Sequence, residues 1–403
     1  MRDEQYELIL EAYERLKKRV RKTELFFSHY YSERLGLPLY CKCENLQRTG
    51  SFKIRGALNF MTAQPRSALA QGVITASAGN HAQGVAFAAD LLGVKATIYM
   101  PEITPLQKIQ ATRDYGAEVV LAGRTFDDAC QAAYRARDES GALFVHPFDD
   151  ELVIAGQGTI ALEILDELPD LQNIIVPVGG GGLISGVAAA IREHRPQTRI
   201  IGVESRSAAS MSASFAAGKP VESPVTVTLA DGIAVKRPGE RTVALIRELV
   251  DEIVTVEEED IALAIVSLLE RTKLLVEGAG AVPLAAVLNR RIDGLQGKTV
   301  CLLSGGNIDV KTISQVVERG MLAAGRFLKL VIELDDLPGA LARLTADIAA
   351  TRANIFLITH ERRSASLALG KTDVSLELET RGEEHIHEIT SYLQEQGYQM
   401  TVR

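Results

Sequence analysis

The sequence predicts an α/β protein with two open sheets of parallel type, followed by a smaller C-terminal domain. Short apolar strands alternate with helices between residues 72 and 204. Two glycine-bearing turns, Ser77-Ala78-Gly79-Asn80-His81 and Gly179-Gly180-Gly181-Gly182, follow strands where ligands of such sheets collect. After Gly325 the rhythm changes to βαββαβ.

Residues 5–20 carry an amphipathic helical pattern, and Leu37 to Cys43 reads as a strand ending at Glu44-Asn45-Leu46. Gly72 to Ala76 follows as a strand, Asn80 to Leu92 as a helix, Ala96 to Met100 as a strand and Pro105 to Tyr115 as a helix. Glu118 to Leu121 is a strand and Phe126 to Glu139 a helix. The alternation resumes with helix Ile160 to Glu167, buried strand Ile174 to Val178, helix Leu183 to His194 and strand Arg199 to Glu204. A second sheet is expected there, with Thr299 to Leu303 as a late member running into Ser304-Gly305-Gly306-Asn307. In the C-terminal part, strands are expected at Phe327 to Leu334, Asn354 to His360, Asp373 to Glu379 and Tyr398 to Val402, with helices at Gly339 to Ala350 and Glu384 to Glu395. This is the ferredoxin-like order.

The chain has 403 residues, 46% hydrophobic and 24% charged, ordinary for a globular protein of two or three domains. A net charge of −8 supplies no basic field for nucleic acid or an anionic membrane. The uncharged run Leu171 to Ile191 contains five glycines and a proline, so it reads as strand, loop and helix and not as a membrane span. Met1-Arg2-Asp3-Glu4-Gln5 lacks the apolar stretch of a secretory signal, and a cytoplasmic location is expected. Cys41, Cys43, Cys130 and Cys301 read as reduced thiols. His385 and His387 point to different sides of one helix, and no metal motif is expected.

Lys53, in Ser51-Phe52-Lys53-Ile54-Arg55-Gly56, is the candidate covalent anchor. A lysine amine forms Schiff bases, and it becomes the better base when burial lowers its pKa. Taken singly, a lysine is most often solvated. The two glycine turns change that reading. A glycine-only turn brings several backbone N–H groups against a phosphate, and the following helix adds its positive end. No glycine triple here has the G-x-G-x-x-G spacing and no P-loop lysine follows, which demotes dinucleotide and ATP chemistry. Lysine and phosphate cradle together suggest pyridoxal phosphate. A tight structural turn for Gly179–Gly182 and an ordinary helix cap for Ser77–His81 are the plainer alternatives.

The segments Glu44 to Lys53, Ser77 to Gly84, Gly179 to Gly182, Ala230-Asp231-Gly232-Ile233-Ala234-Val235-Lys236 and Ser304 to Asn307 together resemble the threonine dehydratase (threonine ammonia-lyase) branch of the fold-type II pyridoxal phosphate enzymes. The resemblance runs from about residue 15 to 320. Residues 327–403, with Asp335-Asp336-Leu337-Pro338-Gly339, resemble an ACT regulatory domain. The expected division is a catalytic domain 1–325 of tryptophan synthase β-like fold, with a smaller subdomain at about 46–148, and a regulatory domain 326–403.

The resemblance implies that Lys53 is the Schiff-base lysine, Phe52 a neighbour of the pyridine ring and Asn80 the partner of the phenolic oxygen. It implies that Gly179, Gly180, Gly181 and Gly182 hold the phosphate, that Ser304 faces the pyridine nitrogen, and that Ser77, Ala78, Gly79, Asn80 and His81 bind the substrate carboxylate. A serine at that nitrogen makes the ring a weaker electron sink, so loss of a β-leaving group competes well. The implied reaction converts L-threonine to 2-oxobutanoate and ammonia, and L-serine to pyruvate. Isoleucine biosynthesis is a role the branch serves. Serine racemases share the pattern but usually carry serine where Ala78 stands, which leaves racemisation as the runner-up. Their cation site is matched at Glu204 and Ala208, but Ser210 stands where an aspartate is expected. A non-catalytic amino-acid sensor is a third reading. An amino-acid effector at the ACT domain and a homodimer or homotetramer are further implications.

Overall fold

A computed structural model describes residues 2–362 and 368–402; Met1, 363–367 and Arg403 lie outside the described residues. The chain forms two compact units, Met1–Asp309 and Val310–Arg403. The boundary expected at 325/326 thus differs by where the helix Val310–Ala323 is counted.

In the first unit, a six-stranded sheet runs in the order Leu25–Phe27, Leu39–Cys43, Thr299–Leu303, Asn173–Pro177, Arg199–Ser205, Glu252–Val256. Only the first strand is antiparallel. Cys301 lies opposite both Cys41 and Ile175. The two central strands are buried throughout, as near-continuous apolar strands covered on both faces must be. A smaller parallel sheet has the order Glu118–Leu121, Ala96–Met100, Val73–Ala76, Leu143–Phe144. Parallel pairing brings the ends of strands distant in sequence to a common edge. Ser304 and the Gly179 loop leave the large sheet on its C-terminal edge, and Ser77 leaves the small sheet on its own.

Several helices lie where the periodicity predicted none. Lys53–Ala63 places its lysine at its first position, and Glu151–Glu167 begins at Glu151, well before Ile160. The latter is capped by Asp150, whose carboxylate accepts from the amides of Leu152 and Val153. It is buried on nearly every side, so it carries no polar stripe. Its glycines allow backbone contact: a Cβ on Gly156 would lie 2.5 Å from the Arg55 carbonyl oxygen, and one on Gly158 would lie 2.8 Å from that of Gly186. Ser210–Ala217, Glu240–Leu249, Glu258–Thr272 and Gly278–Leu288 are further helices of this unit.

Under the lysine helix lies a buried charge cluster. Arg55 donates from Nε and Nη2 to the two oxygens of Glu44, both at 2.8 Å, and from Nη1 and Nη2 to those of Glu163 at 2.7 and 3.0 Å. Lys42 donates to Glu163 and to the Thr23 carbonyl, both at 2.7 Å. Two cations meet two carboxylates. Burial opposes ionisation of Glu44, but the Arg55 guanidinium and Lys42 overcome it and hold the carboxyl below the usual range.

The second unit has the antiparallel sheet order Asn354–Glu361, Lys371–Glu379, Phe327–Asp335, Gln399–Val402, with helices Ala340–Ala350 and Glu383–Glu395 in βαββαβ sequence. The two central strands alternate between buried and open positions, and both helices contribute to the one core. Gly339 caps the first of these helices at φ +87°, a left-handed conformation that glycine adopts without strain. His385 is a core residue that accepts from the Arg381 amide and meets the Thr351 carbonyl. Among the described residues no helix is long and apolar enough to cross a membrane.

Replacing Arg55 with methionine strands the buried Glu44 and leaves Glu163 with Lys42 alone, and we expect a loss of about 3–5 kcal/mol in unfolding free energy, read from urea denaturation of the cofactor-free protein. A loss below about 1 kcal/mol would show that the cluster is not a stabilising core.

Candidate active site

Lys53 opens its helix directly beside two other candidate segments. The amide of Phe52 donates to the Ser304 carbonyl at 3.1 Å, and Ser51 bridges to Gly305. On the opposite side the helix Asn80–Leu92 approaches through Gly84, where a Cβ would lie 3.1 Å from the Lys53 carbonyl carbon. The Lys53 Nζ donates to the Pro147 carbonyl at 2.9 Å and stands 5.2 Å from the centre of the Phe52 ring. Part of the residue stays open, yet burial of the amine draws its pKa down to about 8, against the pull of Glu277.

Pro147 and Phe148 connect the lysine to the glycine loop. A Cβ on Gly180 would strike the Phe148 ring at 2.3 Å, and one on Gly182 would lie 2.7 Å from the Phe148 carbonyl oxygen. Gly181 sits at φ +92° and forms the N-cap of the helix Gly182–His194 without any side-chain cap. Thr242 donates to the Gly180 carbonyl at 2.7 Å, and the Ser185 amide donates to that of Gly181 at 3.0 Å. The carbonyls of Gly180 and Gly181 are thereby occupied. The buried amides of Gly179 to Gly182 meet no protein acceptor among the described residues. Unpaired N–H groups at a helix N-terminus form an anion cradle.

The contacts close into a ring. A Cβ on Gly179 would lie 2.9 Å from Ile233, in the short 3-10 turn Asp231–Ile233, and one on Gly232 would lie 3.4 Å from Glu277 Oε1. Glu277 accepts from Asn80 Nδ2 at 2.7 Å. The Glu277 amide donates to the Gly305 carbonyl at 3.0 Å, which returns the path to Ser304 and Lys53.

Ser77, Ala78, Gly79 and Asn80 are half-buried. A Cβ on Gly79 would meet nothing within 4 Å, so the loop borders open space there. His81 behaves differently. Its ring is buried, its Nε2 lies 3.0 Å from the Val145 carbonyl oxygen, and burial pushes its pKa down to about 3. The ring is therefore neutral with the proton on Nε2, and its Nδ1 is buried without a partner among the described residues. His146 is also held neutral, pushed down to about 4 chiefly by burial, and its Nδ1 accepts from the amides of Phe148 and Asp149.

Glu277, Pro147 and Phe148 join the site from outside the motif segments, and Asn307, which closes the segment Ser304 to Asn307, gains a contact there by donating from Nδ2 to Asn80 Oδ1 at 2.9 Å. A signal existed for Glu277, the one acidic residue in the apolar stretch Leu274 to Leu288. The residues matching a cation site are otherwise engaged: Glu204 accepts from the amides of Met211 and Ser212 and from the Ser212 hydroxyl, while Ser210 donates to the Val235 carbonyl. Among the described residues no cluster of three metal-ligating side chains exists.

Residues 16–305 match the family of pyridoxal-phosphate dependent enzymes. An L-threonine ammonia-lyase of Geobacter sulfurreducens is 71% identical over 98% of this chain and 99% of its own length. The chain belongs to the pyridoxal-phosphate dependent enzymes, in the threonine ammonia-lyase branch. Among solved structures, threonine deaminase isoform 2 of Solanum lycopersicum superposes with a TM-score of 0.74 at 40% identity, covering 79% of this chain and 93% of that one. Maize serine racemase superposes equally, with a TM-score of 0.74 at 35% identity over 79% of this chain and 98% of that one. Pyridoxal phosphate is the cofactor of this family, and the donor set suits it: a desolvated amine stands near four unpaired amides fit for a phosphate.

The depressed pKa of Lys53 has a consequence for the cofactor-free protein. Between about pH 8 and 10.5 the unfolded chain binds a proton at this amine that the folded chain does not, so the contribution of Lys53 to stability rises with pH through that window. Relative to Lys53→Met, the wild-type melting temperature should therefore increase from pH 8 to pH 10. A constant difference between the two proteins would place the amine in ordinary solvent.

Proposed function

We propose that this chain dehydrates and deaminates L-threonine to 2-oxobutanoate and ammonia, and L-serine to pyruvate, at the ring of residues around Lys53. The observation that carries the reading is the desolvated Lys53 amine, held at the Pro147 carbonyl one residue from Phe148, against which the loop of four unpaired glycine amides packs. When bound, pyridoxal phosphate supplies the sink for the electron pair left as the Cα proton departs. Lys53 is its covalent anchor and, once displaced by the substrate amine, the base that takes that proton. Gly179 to Gly182 hold the phosphate, Phe52 lies beside the ring, and Asn80 donates to the phenolic oxygen. Ser304 would face the pyridine nitrogen, where a neutral hydroxyl, unlike a carboxylate, would not hold that nitrogen protonated. The loop Ser77 to His81 receives the substrate carboxylate, and the open space beside Gly79 supports that assignment.

Ala78 argues for elimination over racemisation, because a methyl group cannot deliver a proton to the second face of Cα. Release of 2-oxobutanoate from L-threonine by the purified holoenzyme tests the activity. Lys53→Ala should lower turnover by at least about 10²–10⁴-fold and abolish covalent cofactor attachment, read by mass spectrometry after borohydride reduction. If wild type racemises serine faster than it forms pyruvate, in a chiral assay, the order of the two readings reverses.

The second unit, with the exposed turn Asp335 to Gly339 before its first helix, serves as the receptor for an amino-acid effector, and the enzyme acts as a homo-oligomer. Such a ligand regulates only by binding two conformations unequally. A chain ending near Gly325 that still holds cofactor should keep activity and lose the response to isoleucine or valine. An unchanged response would remove regulation from this unit.

A further inference from the structure

Glu277 is the N-cap of the helix Gly278–Leu288, yet its carboxyl does not cap that helix. It is buried, it has no ion pair among the described residues, and it turns instead towards Asn80, whose Nδ2 donates to Oε1 at 2.7 Å. Gly305 lets it in, since a Cβ there would lie 2.4 Å from Oε1. The other end of the Asn80 amide is held as well: Asn307 Nδ2 donates to Asn80 Oδ1 at 2.9 Å, and to the Thr49 carbonyl at 2.8 Å. An acceptor on the nitrogen end and a donor on the oxygen end leave the asparagine one orientation and one free N–H.

We propose that Glu277, with Asn307, is a positioning residue that locks the Asn80 side chain so that its remaining N–H is presented to the phenolic oxygen of the cofactor. The inference rests on the assignment of Asn80 made above. A purely structural helix start would make no demand on the cofactor's site; the clamp needs an acceptor at that point, which glutamine keeps and alanine lacks.

The carboxyl also responds to pH. Burial, reinforced by Asp231, pushes its pKa up to about 8, while the Asn80 hydrogen bond, Lys108 and the Asn307 amide oppose the rise. Around it stand Asp231 of the 3-10 turn, Lys108 of the helix Leu106–Arg113, paired with Asp231 at 2.8 Å, and Lys53 of the helix Lys53–Ala63. Asn80 and Asn307 face it without charge. At neutral pH it is a neutral acid that accepts from Asn80. On ionisation it becomes a stronger acceptor and sets a negative charge beside the phenolic oxygen.

Above the ordinary glutamate pKa the folded protein keeps a proton that the unfolded chain has lost, so the contribution of Glu277 to stability falls between about pH 4.5 and 8. In the cofactor-free protein, Glu277→Gln should therefore gain melting temperature over wild type as pH rises from 5 to 8. In the holoenzyme, Glu277→Gln keeps the acceptor and should bind cofactor within about threefold of wild type while losing the pH dependence of the visible absorbance near pH 8. Glu277→Ala and Asn307→Ala should each weaken cofactor binding by about tenfold, read by titrating pyridoxal phosphate into cofactor-free protein. Wild-type cofactor affinity and an unaltered spectrum in both alanine variants would overturn the proposal. Borohydride-fixed attachment at Lys53 is checked in each variant, so that a wrong site assignment, seen as attachment elsewhere, is separated from a wrong role for Glu277.

Discussion

The active lysine depends on a charge cluster it never touches. Arg55 lies two positions beyond Lys53 on the same helix, and its guanidinium is shared between Glu44 at the end of one strand and Glu163 on the helix Glu151–Glu167. Arg55 and Lys42 are both fully buried. Desolvating four charges is costly, and such clusters are seldom the most stable solution to a packing problem. They are demanding in geometry, however, because each unpaired member would be an isolated charge in a medium of low dielectric. The lysine helix is thereby held in one register against the large sheet.

Above the cluster the protein does the opposite and withholds partners. Lys53 has a backbone carbonyl as its hydrogen-bond acceptor, His81 and His146 are kept neutral, and Glu277 has an amide where an ion pair would be expected. Burial without compensation shifts each of these groups towards its uncharged form. The glycine loop follows the same logic, with its carbonyls engaged by Thr242 and Ser185 and its amides left unpaired. Stability conceded by the unpaired groups becomes binding energy for an anionic ligand.

Much of this was legible in the linear chain. The alternation of short apolar strands and helices predicted both parallel sheets, and the βαββαβ order of the C-terminal unit is as expected. The helix Gly278–Leu288, which was not predicted, and the first half of Glu151–Glu167, which was predicted only from Ile160, are almost wholly buried, so periodicity has no polar face to register. Order within the large sheet was also hidden, because Leu39–Cys43 pairs with Thr299–Leu303 across more than half the chain.

Residue types and their local setting determined the chemistry available: a lysine in Ser51-Phe52-Lys53, a glycine run between strand and helix, an alanine at 78 where a proton donor would be needed. These are properties of side chains and turns that hold wherever the segments lie. Tertiary structure alone decided that Glu277 reaches Asn80, that Phe148 lies against Gly180, and that His81 turns its ring inward to Val145. Protonation states belong to that second class, because the pKa of a lysine or glutamate is set by which dipoles and charges surround it after folding, and no spacing in the sequence specifies them.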